Sequence, residues 1–277
     1  MGDVLAGFQA VWEFDSDSVL IRYERGIRTP KLFQALGRRR VPLAALDAVS
    51  LAEGRRGTVV LRLQPRAGAD PLLEAAAGQL PDGLDPYRLV LPAERETLAE
   101  YYADELTAAL TESGPADRHL IAAPEAPQRF KAYDGKASFD GTSVRFRWSW
   151  TGASSAKWKA GDQRFAVTDL GGVEWRSPEA FEGYLRLLPN DPAADPVPPD
   201  QDAATVVFGL GYGPVHESLP FAAAVLAAVR TRGAVPAVPA APRRDPAGVA
   251  ERIRSLGDLH RAGLVTDEEF AAKKAEL

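Results

Sequence analysis

Apolar and polar positions alternate at strand spacing through much of the chain. In Val19-Leu20-Ile21-Arg22-Tyr23, positions 19, 21 and 23 fall on one strand face. Val41 and Leu43 alternate, as do Val49 and Leu51, with a small turn between the two pairs. Residues 58–63 and 87–91 read as further strands, separated by a Pro-, Gly- and Asp-rich excursion over 65–86 with a short helix at 72–77. The period then becomes helical. Leu98, Tyr101, Tyr102, Glu105, Leu106 and Ala109 trace a stripe that predicts a helix from 92 to about 111. Glu94 and Glu96 suit the positive end of its dipole, and Gly114-Pro115 closes it.

The second half follows the same script. Strands are expected near 137–139, 144–150, 164–168, 172–176, 184–188 and 205–208, with a loop over 189–203. A closing helix over 218–230 would bury Leu219, Val225, Leu226 and Val229. Short strands followed by one amphipathic helix predict an antiparallel sheet or partial barrel plugged by a C-terminal helix. Prolines at 236, 239, 242 and 246 then favour extended backbone. Helical spacing returns at Val249, Ile253, Leu256 and Leu259, Gly263 is a good stop, and Thr266 with Glu269 forms a capping box for a second short helix.

The halves also share residues. Phe14-Asp15-Ser16-Asp17-Ser18-Val19 is echoed by Phe139-Asp140-Gly141-Thr142-Ser143-Val144 at an offset of 125. Val60-Leu61-Arg62-Leu63-Gln64-Pro65 is echoed by Tyr184-Leu185-Arg186-Leu187-Leu188-Pro189 at an offset of 124. One slipped residue is what a loop insertion or deletion leaves, so the chain reads as a tandem duplication. The predicted organisation is a first domain at 1–112, a linker at 113–128, a second domain at 129–231, a Pro/Ala-rich linker at 232–246 and a helical hairpin at 247–277.

The chain has 277 residues, a net charge of -5 and no cysteine. Disulfides, thiolate chemistry and cysteine-based zinc sites are therefore excluded, and the acidic balance argues against a nucleic-acid partner. The N-terminus lacks the basic and apolar regions of a signal peptide, and no uncharged apolar run approaches the ~18 residues of a membrane span. A cytoplasmic location is expected, with peripheral membrane contact as the alternative.

Little of this points to catalysis. Gly209-Leu210-Gly211-Tyr212-Gly213-Pro214 lies between a strand and a helix. It lacks the third glycine of the dinucleotide fingerprint and the Gly-Lys-Ser/Thr ending of a phosphate loop, so it reads as a turn that offers at most an anion nest of backbone amides. The histidines at 119, 216 and 260 have no metal-ligand spacing. Asp15 and Asp140 sit at matching positions that fit a β-turn better than paired acid–base groups. Phe146, Trp148, Trp150 and Trp158 interleave with basic residues. A stacking platform for single-stranded nucleic acid is one reading, and a buried core face or domain interface is the simpler one. The densest basic cluster is Arg38-Arg39-Arg40, with Arg25, Arg28 and Lys31 nearby. It is the candidate anion or headgroup site, because guanidinium groups match phosphate geometry. A solvated loop balanced by neighbouring acids is its plain alternative. In the second half, Lys157, Lys159 and Arg164 are spread around Trp158 at the corresponding place.

The pattern Phe14-Asp15-x-x-Ser18-Val19, Arg40-Val41-Pro42-Leu43-x-x-Leu46-x-x-Val49 and Thr58 through Leu63 resembles bacterial pleckstrin-homology-like (PH-like) domains. More narrowly, Gly2-Asp3-Val4-Leu5, Gly68-Ala69-Asp70-Pro71, Asp85 through Pro92 and Phe208 through Gly213 resemble an actinobacterial tandem family known as a domain of unknown function (family 4429). The core Leu256-x-x-Leu259-His260-x-Ala262-Gly263-x-x-Thr266-x-x-Glu269-Phe270 is similar to the short C-terminal domain, SHOCT. The resemblance implies a mainly β fold of two PH-like antiparallel barrels, each closed by a C-terminal helix, plus a short helical hairpin thought to mediate association. It implies no established activity. The hairpin has about 31 residues, fewer than the ~40 at which a chain without disulfides or metal usually folds alone, so its apolar face needs a partner. Ile253, Leu256, Leu259, Leu264 and Phe270 are the candidate association face. The expectation is a non-enzymatic binding or scaffold protein without metal or cofactor, associating with itself or another protein through 247–277. The alternative is a peripheral module that reads anionic headgroups through Arg38, Arg39 and Arg40.

Overall fold

A computed structural model of the chain describes residues 3–180, 182–191 and 197–233. The first half begins with four antiparallel strands in simple succession: β1 (Asp3–Ala6), β2 (Ala10–Phe14), β3 (Ser18–Tyr23) and, after a short helix α1 (Lys31–Leu36), β4 (Arg38–Pro42). A 3-10 turn at Leu43–Ala45 carries the chain into a second sheet of β5 (Leu46–Glu53), β6 (Thr58–Pro65) and β7 (Arg88–Pro92). Helix α2 (Pro71–Ala76) interrupts the excursion between β6 and β7, and α3 (Glu96–Ala109) ends the half. The second half repeats this order: β8 (Gln128–Lys131), β9 (Gly135–Phe139), β10 (Ser143–Trp148), α4 (Ser155–Ala160), β11 (Gln163–Ala166), then β12 (Leu170–Arg176), β13 (Tyr184–Pro189), β14 (Thr205–Val207) and α5 (Val215–Gly233).

The duplication holds at the level of strand register. Phe14 faces Val19 and Trp12 faces Ile21 across β2 and β3; at an offset of 125, Phe139 faces Val144 and Ala137 faces Phe146. Across β5 and β6 the register shifts between Leu46 and Ala48, and across β12 and β13 it shifts between Leu170 and Gly172, at an offset of 124. A β-bulge is thus copied with the sheet. The slip between the offsets falls in the loops that follow β3 and β10.

Burial follows the pleat. Trp12, Val19, Ile21 and Val41 from the first sheet meet Leu61, Leu63, Leu89 and Leu91 from the second in the core. The four sheets, however, do not close into barrels. Pro42 and the 3-10 turn after it end β4 before it can pair with β5, and β1–β2 reaches β7 through a backbone bond at the turn, from Phe8 N to Val90 O (3.0 Å). The expected barrels are therefore corrected to pairs of open sheets sharing a core.

Other expectations shift for identifiable reasons. Helix α3 buries Ala99, Ala103 and Leu106, and leaves Leu98 and Tyr101 exposed. The buried stripe is rotated from the predicted one because small alanines let the helix approach β5 and β6 closely. Strand β10 ends at Trp148, so Trp150 stands in the following loop, 81% exposed, and is no part of a core face. The six-residue helices α1 and α4, and β8 with a single buried apolar residue (Phe130), carry too little periodicity to be read in advance. Helix α5 buries every residue from Leu219 to Leu226, Pro220 included. Such all-round burial marks a helix packed on more than one side.

Residues 3–232 form one compact unit. Gln79, from the first half, donates to Trp175 O (2.8 Å) and accepts from Ser177 N (2.9 Å), both in the second. Glu74 on α2 receives His119 from the connecting segment (3.0 Å) and Arg230 from α5 (2.5 Å). The expected linker at 232–246 and hairpin at 247–277 lie outside the described residues, apart from the end of α5.

Candidate functional site

Strand alternation divides Arg38, Arg39 and Arg40. Arg38 and Arg40 point outward, whereas Arg39 points inward with Val41 and is 6% exposed. Its guanidinium donates to Asp70 Oδ1 at 2.6 Å and through Nε to Tyr87 Oη at 3.2 Å. Tyr87 Oη donates in turn to Asp70 Oδ2 at 2.7 Å. Asp70 also caps α2, accepting from Leu72 N (3.1 Å) and Leu73 N (3.3 Å). Burial holds the Tyr87 hydroxyl well above its ordinary titration range, so it stays a proton donor. The network is a satisfied interior polar knot that ties β4 to α2 and to the start of β7. The expected loop of three equivalent cations is therefore a strand with one structural and two surface arginines. Arg40 bonds Asp15 (2.7 Å) and lies 3.4 Å from Asp17. The signal was in the sequence: Arg39 shares parity with Val41.

The second half has its own buried pair at a different place. Lys157 on α4 is fully buried and donates to Asp134 Oδ2 at 2.6 Å. Asp134 Oδ1 accepts from Val207 N at 3.0 Å. Burial pushes the lysine down and the aspartate up, while their contact opposes both shifts. By register Arg39 corresponds to Gln163, and the same offset of 124 sets Lys157 of α4 at the place of Phe33 in α1. Neither ion pair has a counterpart in the other half.

The Gly209–Pro214 segment is a turn between β14 and α5. Tyr212 N is spent on Gly209 O (2.9 Å) and Gly213 N on Lys131 O (2.8 Å), which leaves little of an anion nest. Gly213 has φ 62°, and a Cβ there would strike the Phe208 ring, so glycine is required. This turn lines a cleft of about 560 Å³ with Leu32 and Leu84 from the first half and His216 at the start of α5. Burial lowers the His216 pKa. A groove of about 820 Å³ on the outer face of β5–β7 holds Arg55, Arg62 and Arg88, with Glu53 and Asp82 among them. Arg62 bonds Asp82 (2.9 Å) and lies 3.4 Å from Asp85. The same tie recurs in the second half, where Arg186 bonds Asp202 (3.1 Å).

Asp15 and Asp140 both open strand-connecting turns, through Asp15 N to Ser18 O (2.9 Å) and Asp140 N to Ser143 O (3.2 Å). Among the described residues, no group of three or more His, Asp or Glu side chains could hold a metal ion. Ile253, Leu256, Leu259, Leu264 and Phe270 lie outside the described residues. Trp150 and Trp158 meet edge to face, with centroids 5.2 Å apart, on an exposed rim.

These features define a duplicated, mainly β protein whose two halves share a register and differ in their polar groups. Residues 12–107 and 137–226 match the family model described as Domain of unknown function (DUF4429), and residues 251–277 match the Short C-terminal domain, SHOCT. The chain belongs to the DUF4429 family and carries two copies of its domain followed by a SHOCT domain. A search of curated proteins finds no significant match.

Proposed function

We propose that the chain is a non-enzymatic binding protein: two PH-like modules fused into one body, with a C-terminal hairpin that associates with a second copy or docks on another protein. Four strands, then three, then a closing helix in each half support the PH-like reading. The observation that carries the proposal is a SHOCT segment at 251–277, too short to bury a core alone, appended to a body that is already compact by Arg232. Light scattering after size exclusion tests it, on the full chain and on a chain ending at Arg232. The full chain is expected as an oligomer and the shortened one as a folded monomer. The same stoichiometry in both would remove self-association.

A second reading is peripheral attachment to an anionic surface in the cytoplasm. Its candidate site is Arg38, Arg39 and Arg40. With Arg39 committed to Asp70, that site retains two cations, one of them already paired. No helix among the described residues is long and apolar enough to cross a membrane.

A further inference from the structure

The outer face of the sheet formed by β8, β9, β10 and β11 concentrates positive charge. Strand alternation turns Phe130, Ala137, Phe139, Val144 and Phe146 inward, and turns Arg129, Lys131, Lys136, Arg145, Arg147 and Arg164 outward. All six basic residues are exposed. Register then sets like charges directly opposite one another: Lys131 faces Lys136, Lys136 faces Arg147, and Arg145 faces Arg164. Such pairs destabilise a sheet. The counter-charge is thin. Arg147 lies 3.3 Å from Asp162, and Arg164 donates to Ser143 Oγ. Among the described residues, Arg129, Lys131, Lys136 and Arg145 have no carboxylate within ion-pair distance. A chain with net charge -5 has acids to spare, yet places almost none here.

One end of this face carries exposed aromatic and apolar tips. Tyr133 in the β8–β9 turn, Trp150 and Trp158 are 52%, 81% and 50% exposed, and Leu210 is fully exposed. They gather around Tyr133, which packs near Tyr212 (6.2 Å between centroids) and leaves no room for a Cβ at Gly152 or Gly209. Lys131 Nζ sits over the Tyr212 ring at 4.9 Å and joins the rim to the basic rows.

We propose that this face of the second half docks on an anionic phospholipid surface, with Lys136 and Arg145 at the centre of the contact and Trp150 at its inserting rim. Basic rows attract acidic headgroups, and amphipathic aromatic rings settle at the headgroup level. Single-stranded nucleic acid fits less well. The outward strand positions offer no aromatic ring for a base, and the Trp150 and Trp158 rings pack edge to face on each other.

The test is flotation of the full chain with two sets of vesicles: phosphatidylcholine alone, and three parts phosphatidylcholine to one part phosphatidylglycerol. Binding is expected only to the second set, weakening as salt rises. The double variant Lys136→Gln, Arg145→Gln should lose about thirtyfold in partitioning, and Trp150→Ser should weaken binding separately. The pair Arg22→Gln, Arg56→Gln in the first half should leave partitioning unchanged. Both variant pairs alter exposed residues, and unchanged circular dichroism would confirm that they fold. Equal binding to both vesicle sets, parental binding by the Lys136/Arg145 variant, or displacement of bound chain by an unstructured oligonucleotide but not by added anionic vesicles would each overturn the proposal.

Discussion

On the outer face of the first four-stranded sheet, Leu20 stands between Glu13 and Arg40, and Arg22 stands between Val11 and Arg38. At the equivalent points of the second sheet, Arg145 stands between Ser138 and Arg164, and Arg147 faces Lys136. The backbone register is the same. The first sheet keeps one like-charged pair, Arg22 facing Arg38, and answers its cations with acids: Arg22 pairs with Glu13, and Arg40 with Asp15. In the second they are massed. The interiors diverge as well, with Arg39–Asp70 in one half and Lys157–Asp134 in the other, at positions that do not correspond. Duplication preserved what fixes the backbone, namely register, bulge and the arginine tie to the excursion loop. It left the polar groups free to differentiate, inside and out.

The buried pairs give the largest expected effect. Asp134→Ala strands Lys157 in the interior and should cost about 3–5 kcal/mol in denaturant unfolding. The double change Asp134→Ala, Lys157→Met should recover most of that loss. If the single variant is nearly silent, the lysine reaches solvent and the pair is not an interior element. The seam between the halves comes next. Gln79→Ala leaves Trp175 O and Ser177 N without their partner and should cost about 1–3 kcal/mol, read as a lower unfolding midpoint.

A charge swap contrasts the faces directly. Lys136→Glu inserts an acid between Lys131 and Arg147 and should stabilise the chain by up to about 1 kcal/mol. Arg40→Glu, which breaks the pair with Asp15 and sets an acid beside Asp17, should instead cost a few tenths of a kcal/mol. Changes of the same sign would erase the distinction between the two sheets. The smallest effect is pH-dependent. Hydrogen bonds from Thr142 N and Ser143 N, then from the Ser143 and Thr142 hydroxyls, hold Asp140 well below the usual carboxylate range. Its folded pKa is lowered, so its contribution is present above the ordinary aspartate value and fades as pH falls through the folded one. Asp140→Ala should lower the melting temperature at neutral pH, and the gap from the parent should narrow on acidification.

Much of the fold was legible. Period-two segments located most of the strands, and the shifted echo between Phe14 and Phe139 disclosed the duplication. Barrel closure was not legible, because it depends on whether β4 continues past Pro42, which is a tertiary matter. The stripe on α3 was misjudged because hydrophobicity ranks Leu98 and Tyr101 above Ala99 and Ala103, while close packing against the sheet prefers the alanines. The basic sheet face was readable in principle. Arg129 and Lys131, Lys136 and Ser138, and Arg145 and Arg147 alternate with apolar residues, but no two of these cations are adjacent in sequence. A search for charge runs therefore finds Arg38-Arg39-Arg40, whose central member is buried. The Lys157–Asp134 pair had no sequence signal: a turn residue and a helix residue 23 positions apart meet only in three dimensions.

Gln79 acts as a clasp with both hands engaged, giving and receiving across the seam. A module held to its twin in this way is no longer a cassette. Cut from its neighbour, either half would expose a surface shaped for the other, so a recombination event that carried away one copy would deliver a fragment poorly suited to stand alone. Heating should accordingly register one endotherm for the body of the chain rather than two, although the body was assembled from two copies of a single ancestral unit.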